Sequence, residues 1–154
     1  MEQWMEALSL ILKIFTVYTA IVSLFFLLPR RKIPRAQAKT RFAVLLAARN
    51  EEAVIGRTVG QLLAQQYPAE LFDVYVIPNN CTDDTEGAAR RAGAQILPCL
   101  GPVRNKGDAL HCAFAALKDS GYDAYCVFDA DNLVDPDFLA RMNAAFCAGA
   151  QAAK

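Results

Sequence analysis

The sequence predicts an α/β fold with a mostly parallel sheet, preceded by one transmembrane helix. Three observations carry that prediction. Residues Ala7 to Leu28 form an unbroken apolar run with Lys13 as the single charge. From Phe42 onward, short apolar runs alternate with helical segments. Polar motifs sit directly behind three of those runs: Ala47–Glu52, Asn79–Thr85 and Asp129–Asp131.

As a helix, the apolar run spans about 30 Å, the thickness of a bilayer core. Fourteen Leu, Ile, Val and Phe side chains lie in it. Together they favour insertion by about 4–8 kcal/mol, more than the roughly 3 kcal/mol that Lys13 costs at most. Lys13 is placed toward the N-terminal end of the run, where it can snorkel. A signal peptide would begin basic and have a shorter apolar stretch. Here Glu2 and Glu6 precede the run, and Pro29-Arg30-Arg31-Lys32 comes after it. Residues 1–29 therefore read as a membrane anchor and residues 30–40 as a basic juxtamembrane linker. Arg30, Arg31, Lys32, Arg35, Lys39 and Arg41 fall in an acid-free stretch, which predicts that the chain beyond Pro29 is cytoplasmic.

The elements after the linker come in order. Phe42–Ala47 is a continuous apolar run and reads as a buried strand. Asn50 is placed to cap a helix over Glu51–Gln66, with Glu51 and Glu52 in its first turn and Pro68 beyond its end. Phe72–Ile77 is a second strand, Asn79–Thr82 a turn, and a short helix runs to Ala92, where Gly93 can end it. Asp83 and Asp84 suit that helix's N-terminus through the dipole. Ala94–Leu97 is a short third strand, Leu100–Asn105 a loop, and Lys106–Asp119 a helix. Gly121 breaks the chain before the fourth strand, Ala124–Phe128. Pro136–Cys147 is a last helix with Gly149 at its end, and Gln151–Lys154 resembles the start of a further strand. Strand–helix alternation with apolar strands means a parallel sheet covered on both faces. Right-handed crossovers make it a Rossmann-like half, and ligands bind such sheets beyond the carboxyl ends of the strands.

Composition excludes several classes. The net charge is zero, so there is no nucleic-acid signature. The cysteines are Cys81, Cys99, Cys112, Cys126 and Cys147, and the single histidine is His111. No C-x-x-C pair is present, which argues against zinc. Scattered cysteines beside apolar residues read as reduced, small buried side chains. His111 reads as a surface or packed residue. Ala47-Ala48-Arg49-Asn50-Glu51-Glu52 lacks the G-x-G-x-x-G of a dinucleotide-binding turn.

The chemistry centres on Tyr125-Cys126-Val127-Phe128-Asp129-Ala130-Asp131, an apolar strand ending in two carboxylates. The period of two puts Asp129 and Asp131 on one side, about 6–7 Å apart. Hard oxygen donors there can hold a divalent cation, and the cation a diphosphate. A second such pair, Asp135-Pro136-Asp137, reads as a helix start: Asp135 as N-cap, Pro136 at the first helical position and Asp137 in the first turn.

Four segments carry a resemblance: Ala47–Glu52, Asn79–Thr85, Arg104-Asn105-Lys106-Gly107-Asp108-Ala109-Leu110, and Asp129-Ala130-Asp131. In that order, each on the same side of the sheet, they resemble the family 2 glycosyltransferases of GT-A fold, and most of all the membrane-bound bacterial polysaccharide synthases. The resemblance covers about residues 41–150 and makes 41–154 the nucleotide-sugar-binding part of a truncated glycosyltransferase domain. It implies that Ala47, Ala48, Arg49, Asn50 and Glu51 line the base and ribose, and that Asn79 faces the base. Arg104 and Lys106 would lie near the phosphates, Asp129 would face the ribose or sugar, and Asp131 would bind Mg2+ or Mn2+ on the diphosphate. Many family members carry Asp where this chain has Asn79; an amide donates as well as accepts.

The implied reaction is metal-assisted, inverting transfer of a sugar from a nucleotide-diphosphate sugar to a glycan or lipid-linked acceptor. It needs a Lewis acid on the leaving diphosphate and a general base for the acceptor hydroxyl. In the family that base is a carboxylate well past the Asp-x-Asp, and no Asp or Glu comes after Asp137 in this sequence. The expectation is that the base lies beyond Lys154 and that this chain, the donor-binding half, transfers little sugar alone. The competing reading is a membrane-anchored module that binds a nucleotide sugar without turnover.

Overall fold

The computed structural model describes residues 2–27, 35–99 and 101–153. Pro29 and the basic cluster Arg30, Arg31 and Lys32 lie outside the described residues, as do Leu28, Leu100 and Lys154. The chain forms two compact units, Met1–Lys32 and Ile33–Lys154.

The first unit is one helix, α1 (Glu2–Leu27), which begins a turn and a half earlier than the apolar run because Glu2 to Glu6 are good helix formers. Within it Trp4–Phe25 is long and apolar enough to cross a membrane, and none of it is buried against protein. The two threonine hydroxyls of this helix are satisfied internally: Thr16 donates to the Leu12 carbonyl (2.8 Å) and Thr19 to that of Phe15 (3.0 Å). Lys13 lies nine residues past Trp4 and twelve short of Phe25, nearer the middle of the span than the sequence reading placed it.

The second unit runs β1 (Phe42–Ala48), α2 (Glu52–Leu63), a 3-10 turn at Ala69–Leu71, β2 (Phe72–Pro78), α3 (Thr85–Arg91), β3 (Gln95–Ile96), α4 (Lys106–Leu117), β4 (Ala124–Phe128) and α5 (Phe138–Cys147). All ladders are parallel and the strand order is β3-β2-β1-β4. The doubly covered α/β sheet is thus as expected. Alternation along β1 sorts its side chains. Phe42, Val44, Leu46 and Ala48 pack with Ile55, Val59 and Leu62 of α2, Ala89 of α3 and Leu139 of α5. Ala43 and Leu45 face the other way, with Tyr75, Ile77 and the α4 residues Ala109, Ala113 and Leu117. Full burial of Ile55, Val59 and Leu62 contributes about 1.5–3 kcal/mol apiece.

Several boundaries differ from the sequence reading. Asn50 does not cap α2: its backbone is left-handed (φ 57°), its side chain turns to Thr82, and Glu51 takes the N-cap position. α2 ends at Leu63, three residues early. The backbone N–H of Gln66 is drawn off to the Pro136 carbonyl (2.7 Å). β3 is two residues long rather than four, and α4 stops at Leu117 instead of Asp119. α5 begins at Phe138, because Pro136 and Asp137 form a turn before it and Asp137 takes the N-cap position. Gly93 ends α3 as expected, with φ 98° that a side chain would strain. Gln151 and Ala152 form a bend, and Gln151–Ala153 contain no strand. The cysteines are all free, but only Cys126 is buried and Cys147 is exposed. Burial pushes the Cys126 thiol up to about 12.

Candidate functional site

The parallel register sets the ends of three strands side by side. Ala48 pairs with Pro78, and Leu46 with Phe128. The next residues, Arg49–Glu51, Asn79 and Asp129–Asp131, therefore leave the sheet at one edge. Arg49 and Asn50 are exposed and Ala48 is buried; Ala47 and Glu51 are half-buried. The loops after β1 and β2 are laced to each other. Thr82 N–H donates to Asn50 Oδ1 (2.8 Å), Glu51 N–H to Thr85 Oγ1 (2.9 Å), Glu52 N–H to Asp83 Oδ2 (3.1 Å), and Asp84 N–H to Glu52 Oε2 (3.0 Å). The free N–H groups at the start of α2 are thus satisfied by the neighbouring loop instead of by Asn50. Asp83 also accepts from the Thr85 hydroxyl and N–H, which hold its carboxyl below the usual range. Asp84 takes the N-cap position of α3 and Asp83 accepts the N–H of its first residue, Thr85, while Asp83 also serves α2 across the loop.

Asn79 is buried, and its N–H donates to the Ala48 carbonyl (2.8 Å), extending the β1–β2 ladder by one bond. Its Oδ1 accepts from Asn80 Nδ2 (3.1 Å), which also donates to the Val103 carbonyl (2.6 Å). The 101–105 segment is thereby tied to the end of β2.

At the start of α4, Asn105 Oδ1 accepts from Asp108 N–H (3.0 Å), a proper N-cap. Asp108 reaches back to Arg104 N–H (3.0 Å). This places Lys106 in the first turn, where its ammonium ion-pairs with Asp129. The structure brings those two residues together. Arg104 and Arg49 are exposed and form no ion pair among the described residues.

Asp131 is exposed on the turn after β4. Thr58 of α2 fixes that turn: its hydroxyl, fully buried, donates to the Ala130 carbonyl (2.5 Å). Asn132 N–H closes back on the Asp129 carbonyl (3.3 Å). Among the described residues, no group of three or more His, Cys, Asp or Glu is arranged to hold a metal. Asp131 is a hard oxygen donor with no cationic partner there. A lone carboxylate suits a cation that takes its remaining ligands from substrate phosphates and water, as Mg2+ does.

The second Asp-x-Asp is held otherwise. Asp135 Oδ1 accepts from Asp137 N–H (3.2 Å), and Arg141 pairs with Asp137 (2.9 Å) and Asp135 (3.8 Å). The Arg141 guanidinium, then Asp135, hold the Asp137 carboxyl below its usual value. Gln65 clamps the backbone of the turn, donating to the Asp135 carbonyl (2.8 Å) and accepting from Leu139 N–H (3.0 Å).

Sequence reasoning missed the residues that support the edge. Thr58 and Gln61 on α2 and Gln65 just past its end all bond the segment 130–139. Asn143, 1% exposed in α5, accepts from Thr40 N–H (3.1 Å) and donates to the Gln37 carbonyl (3.0 Å), anchoring the segment before β1. The available signal was polar residues inside otherwise apolar helical stripes.

The family model described as "Glycosyltransferase like family 2" matches residues 39–154. A beta-monoglucosyldiacylglycerol synthase from Synechocystis is 36% identical over 103 residues, 64% of this chain and 21% of its own length. The probable glycosyltransferase YdaM of Bacillus subtilis is 31% identical over 99 residues, 60% of this chain and 23% of its own. The chain thus spans about a fifth to a quarter of the curated relatives it matches. Among solved structures, the Pyrobaculum calidifontis mannosyltransferase PcManGT, in complex with GDP-Man and Mn2+, superposes with a TM-score of 0.67 at 21% identity, covering 84% of this chain and 39% of that one. That likeness establishes a GT-A-like fold. With the family model matching three-quarters of the sequence, the chain belongs to the glycosyltransferase like family 2.

Proposed function

We propose that this chain carries the donor-binding half of a membrane-anchored glycosyltransferase. It would move a sugar, with inversion, from a nucleotide-diphosphate sugar to a glycan or lipid-linked acceptor on the cytoplasmic side. The observation that carries the reading is the single edge of the sheet shared by the laced Arg49–Glu51 loop, Asn79, the Lys106–Asp129 pair and Asp131. There Ala47, Ala48, Arg49, Asn50, Glu51 and Asn79 would receive the nucleoside, Arg104 and Lys106 the phosphates, and Asp129 the ribose or sugar. Asp131 would hold Mn2+ or Mg2+, which supplies charge neutralisation for the departing diphosphate. The relatives named as a beta-monoglucosyldiacylglycerol synthase and a probable glycosyltransferase support the reaction class. The apolar span Trp4–Phe25 supports the anchor.

The test is calorimetry on the full chain in detergent. Nucleoside diphosphates should bind with Mn2+ present, and EDTA should abolish the heat; binding unaffected by EDTA would remove the metal from the account. A second reading, binding without turnover, has one observation in its favour. Asp135 and Asp137, the next carboxylates along the chain from Asp131, both face Arg141 (3.8 and 2.9 Å), which makes either a poorer base toward an acceptor hydroxyl. Donor-sugar hydrolysis measured beside binding separates the two: release of free sugar favours the enzyme, and binding with no release favours the module.

A further inference from the structure

We infer that Asn79, oriented by Asn80, selects for nucleotide donors whose base offers a ring-nitrogen acceptor, as cytosine does at N3 and adenine at N1. Bases with a ring N–H there, uracil and guanine, are disfavoured. The inference rests on the donor-site reading above.

The argument begins with the distribution of charge along the edge. β1 lies between β2 and β4. Adjacent strands are about 4.8 Å apart, so the end of β2 lies about 10 Å across from the end of β4. The charged groups Lys106, Asp129 and Asp131 gather at the β4 side. The first residues past β2 are the neutral amides Asn79 and Asn80; of the acids that follow, Asp83 is turned to Glu52 and Thr85, and Asp84 to Arg91. A nucleoside diphosphate lying along this edge therefore puts its phosphates toward β4 and its uncharged base toward β2.

Asn80 determines which end of the Asn79 amide meets that base. Its backbone is left-handed (φ 50°), a conformation asparagine tolerates better than most residues. Its Nδ2 has two hydrogens: one goes to the Val103 carbonyl (2.6 Å), the other to Asn79 Oδ1 (3.1 Å). A donor on that side requires the oxygen of Asn79 there, which turns Asn79 Nδ2 away. None of these bonds engages Asn79 Nδ2. Asp137 Oδ1 is the one side-chain polar atom among the described residues that is both buried and unpartnered, so Asn79 Nδ2 opens to the surface. Asn79 is only 6% exposed, so an N–H set against that amine has little water to turn to. A ring nitrogen lone pair accepts from the amine; a ring N–H opposes it.

The test is calorimetry on the full chain in detergent with Mn2+ and four probes, compared within each size class. CDP should bind more tightly than UDP, and ADP more tightly than GDP, each by about five- to a hundred-fold. Asn79→Asp replaces the amine by an acceptor and should invert both ratios. Asn80→Gly keeps the left-handed backbone but removes the orienting donor, and should bring both ratios toward one. UDP binding as tightly as CDP with GDP as tightly as ADP, or ratios that Asn79→Asp leaves unchanged, would overturn the inference while leaving the donor site standing. Failure of all four diphosphates to bind would sink the donor-site reading itself and this inference with it.

Discussion

The molecule contains the same three-residue pattern twice within nine residues, and the two copies have opposite fates. Asp129-Ala130-Asp131 leaves the end of a central-sheet strand; Asp135-Pro136-Asp137 leads into a helix. In the second copy both carboxylates are engaged by Arg141, and Asp135 also caps the turn. In the first copy Asp129 is engaged by Lys106 from another element, and Asp131 is exposed without a cationic partner among the described residues. An Asp-x-Asp pair therefore says nothing by itself. What decides its chemistry is whether the chain brings a cation to consume both charges.

The first turn hangs from α2 and the second from Gln65 just past its end, which gives a way to sharpen the comparison. Gln65→Ala removes the two bonds that clamp the second turn, one to the Asp135 carbonyl and one from the Leu139 N–H. It should lower stability by about 2–6 kcal/mol, since each of the two groups left unpaired costs about 1–3. Denaturant unfolding measures this, and metal-dependent nucleotide binding should persist in the folded protein. Thr58→Val removes a single bond, to the Ala130 carbonyl. The expected stability loss is about 1–3 kcal/mol, but here nucleotide affinity should fall too, because the turn that presents Asp131 loses its brace. If both variants weaken binding equally, the division of labour between the turns is wrong.

Asp135→Ala removes the bond that its side chain accepts from the Asp137 N–H; it should cost about 0.5–1.5 kcal/mol, the range for one hydrogen bond, and should leave binding alone. Acid affects the same region with a definite sign. The Arg141 partner holds the Asp137 carboxyl below its ordinary 3.8. The stabilisation from that shift is complete above the unfolded value and is lost as pH falls through the lower folded one. Unfolding measured from pH 5 downward should therefore show the wild type losing stability more steeply than Arg141→Ala below about pH 4. The smallest stability effect belongs to Lys106→Ala. Its pair with Asp129 is substantially exposed, and such pairs contribute about 0–1 kcal/mol. Its loss should register in diphosphate affinity instead.

The course of the backbone was legible because β1 is a buried, uninterrupted apolar run, β2 is broken only by Asp73, β4 is apolar though partly exposed, and turn residues such as Gly93 punctuate the helices. The edge where the polar motifs collect was implied by parallel topology. The local chemistry was less legible, because its partners are distant in sequence. Asn50 has the composition of a helix cap, yet bonds Thr82 across the loop. Asp83 satisfies the N–H of Glu52 in α2, thirty-one residues away. Lys106 meets Asp129 only because α4 starts beside the end of β4. No periodicity encodes such cross-loop bonds; they appear once the strands are in register. Thr58 and Gln65 were hidden for a related reason, being polar residues whose carbonyl partners belong to a turn after another strand.

The central claim is that Asp131 holds a cation and the second pair does not. Calorimetry of nucleoside diphosphate binding, with and without Mn2+, on wild type, Asp131→Ala and Asp135→Ala tests it most directly. The account predicts that Asp131→Ala abolishes the Mn2+-dependent part of the affinity, and that Asp135→Ala binds as the wild type does. Equal loss in both variants, or full Mn2+ dependence surviving in Asp131→Ala, would contradict it.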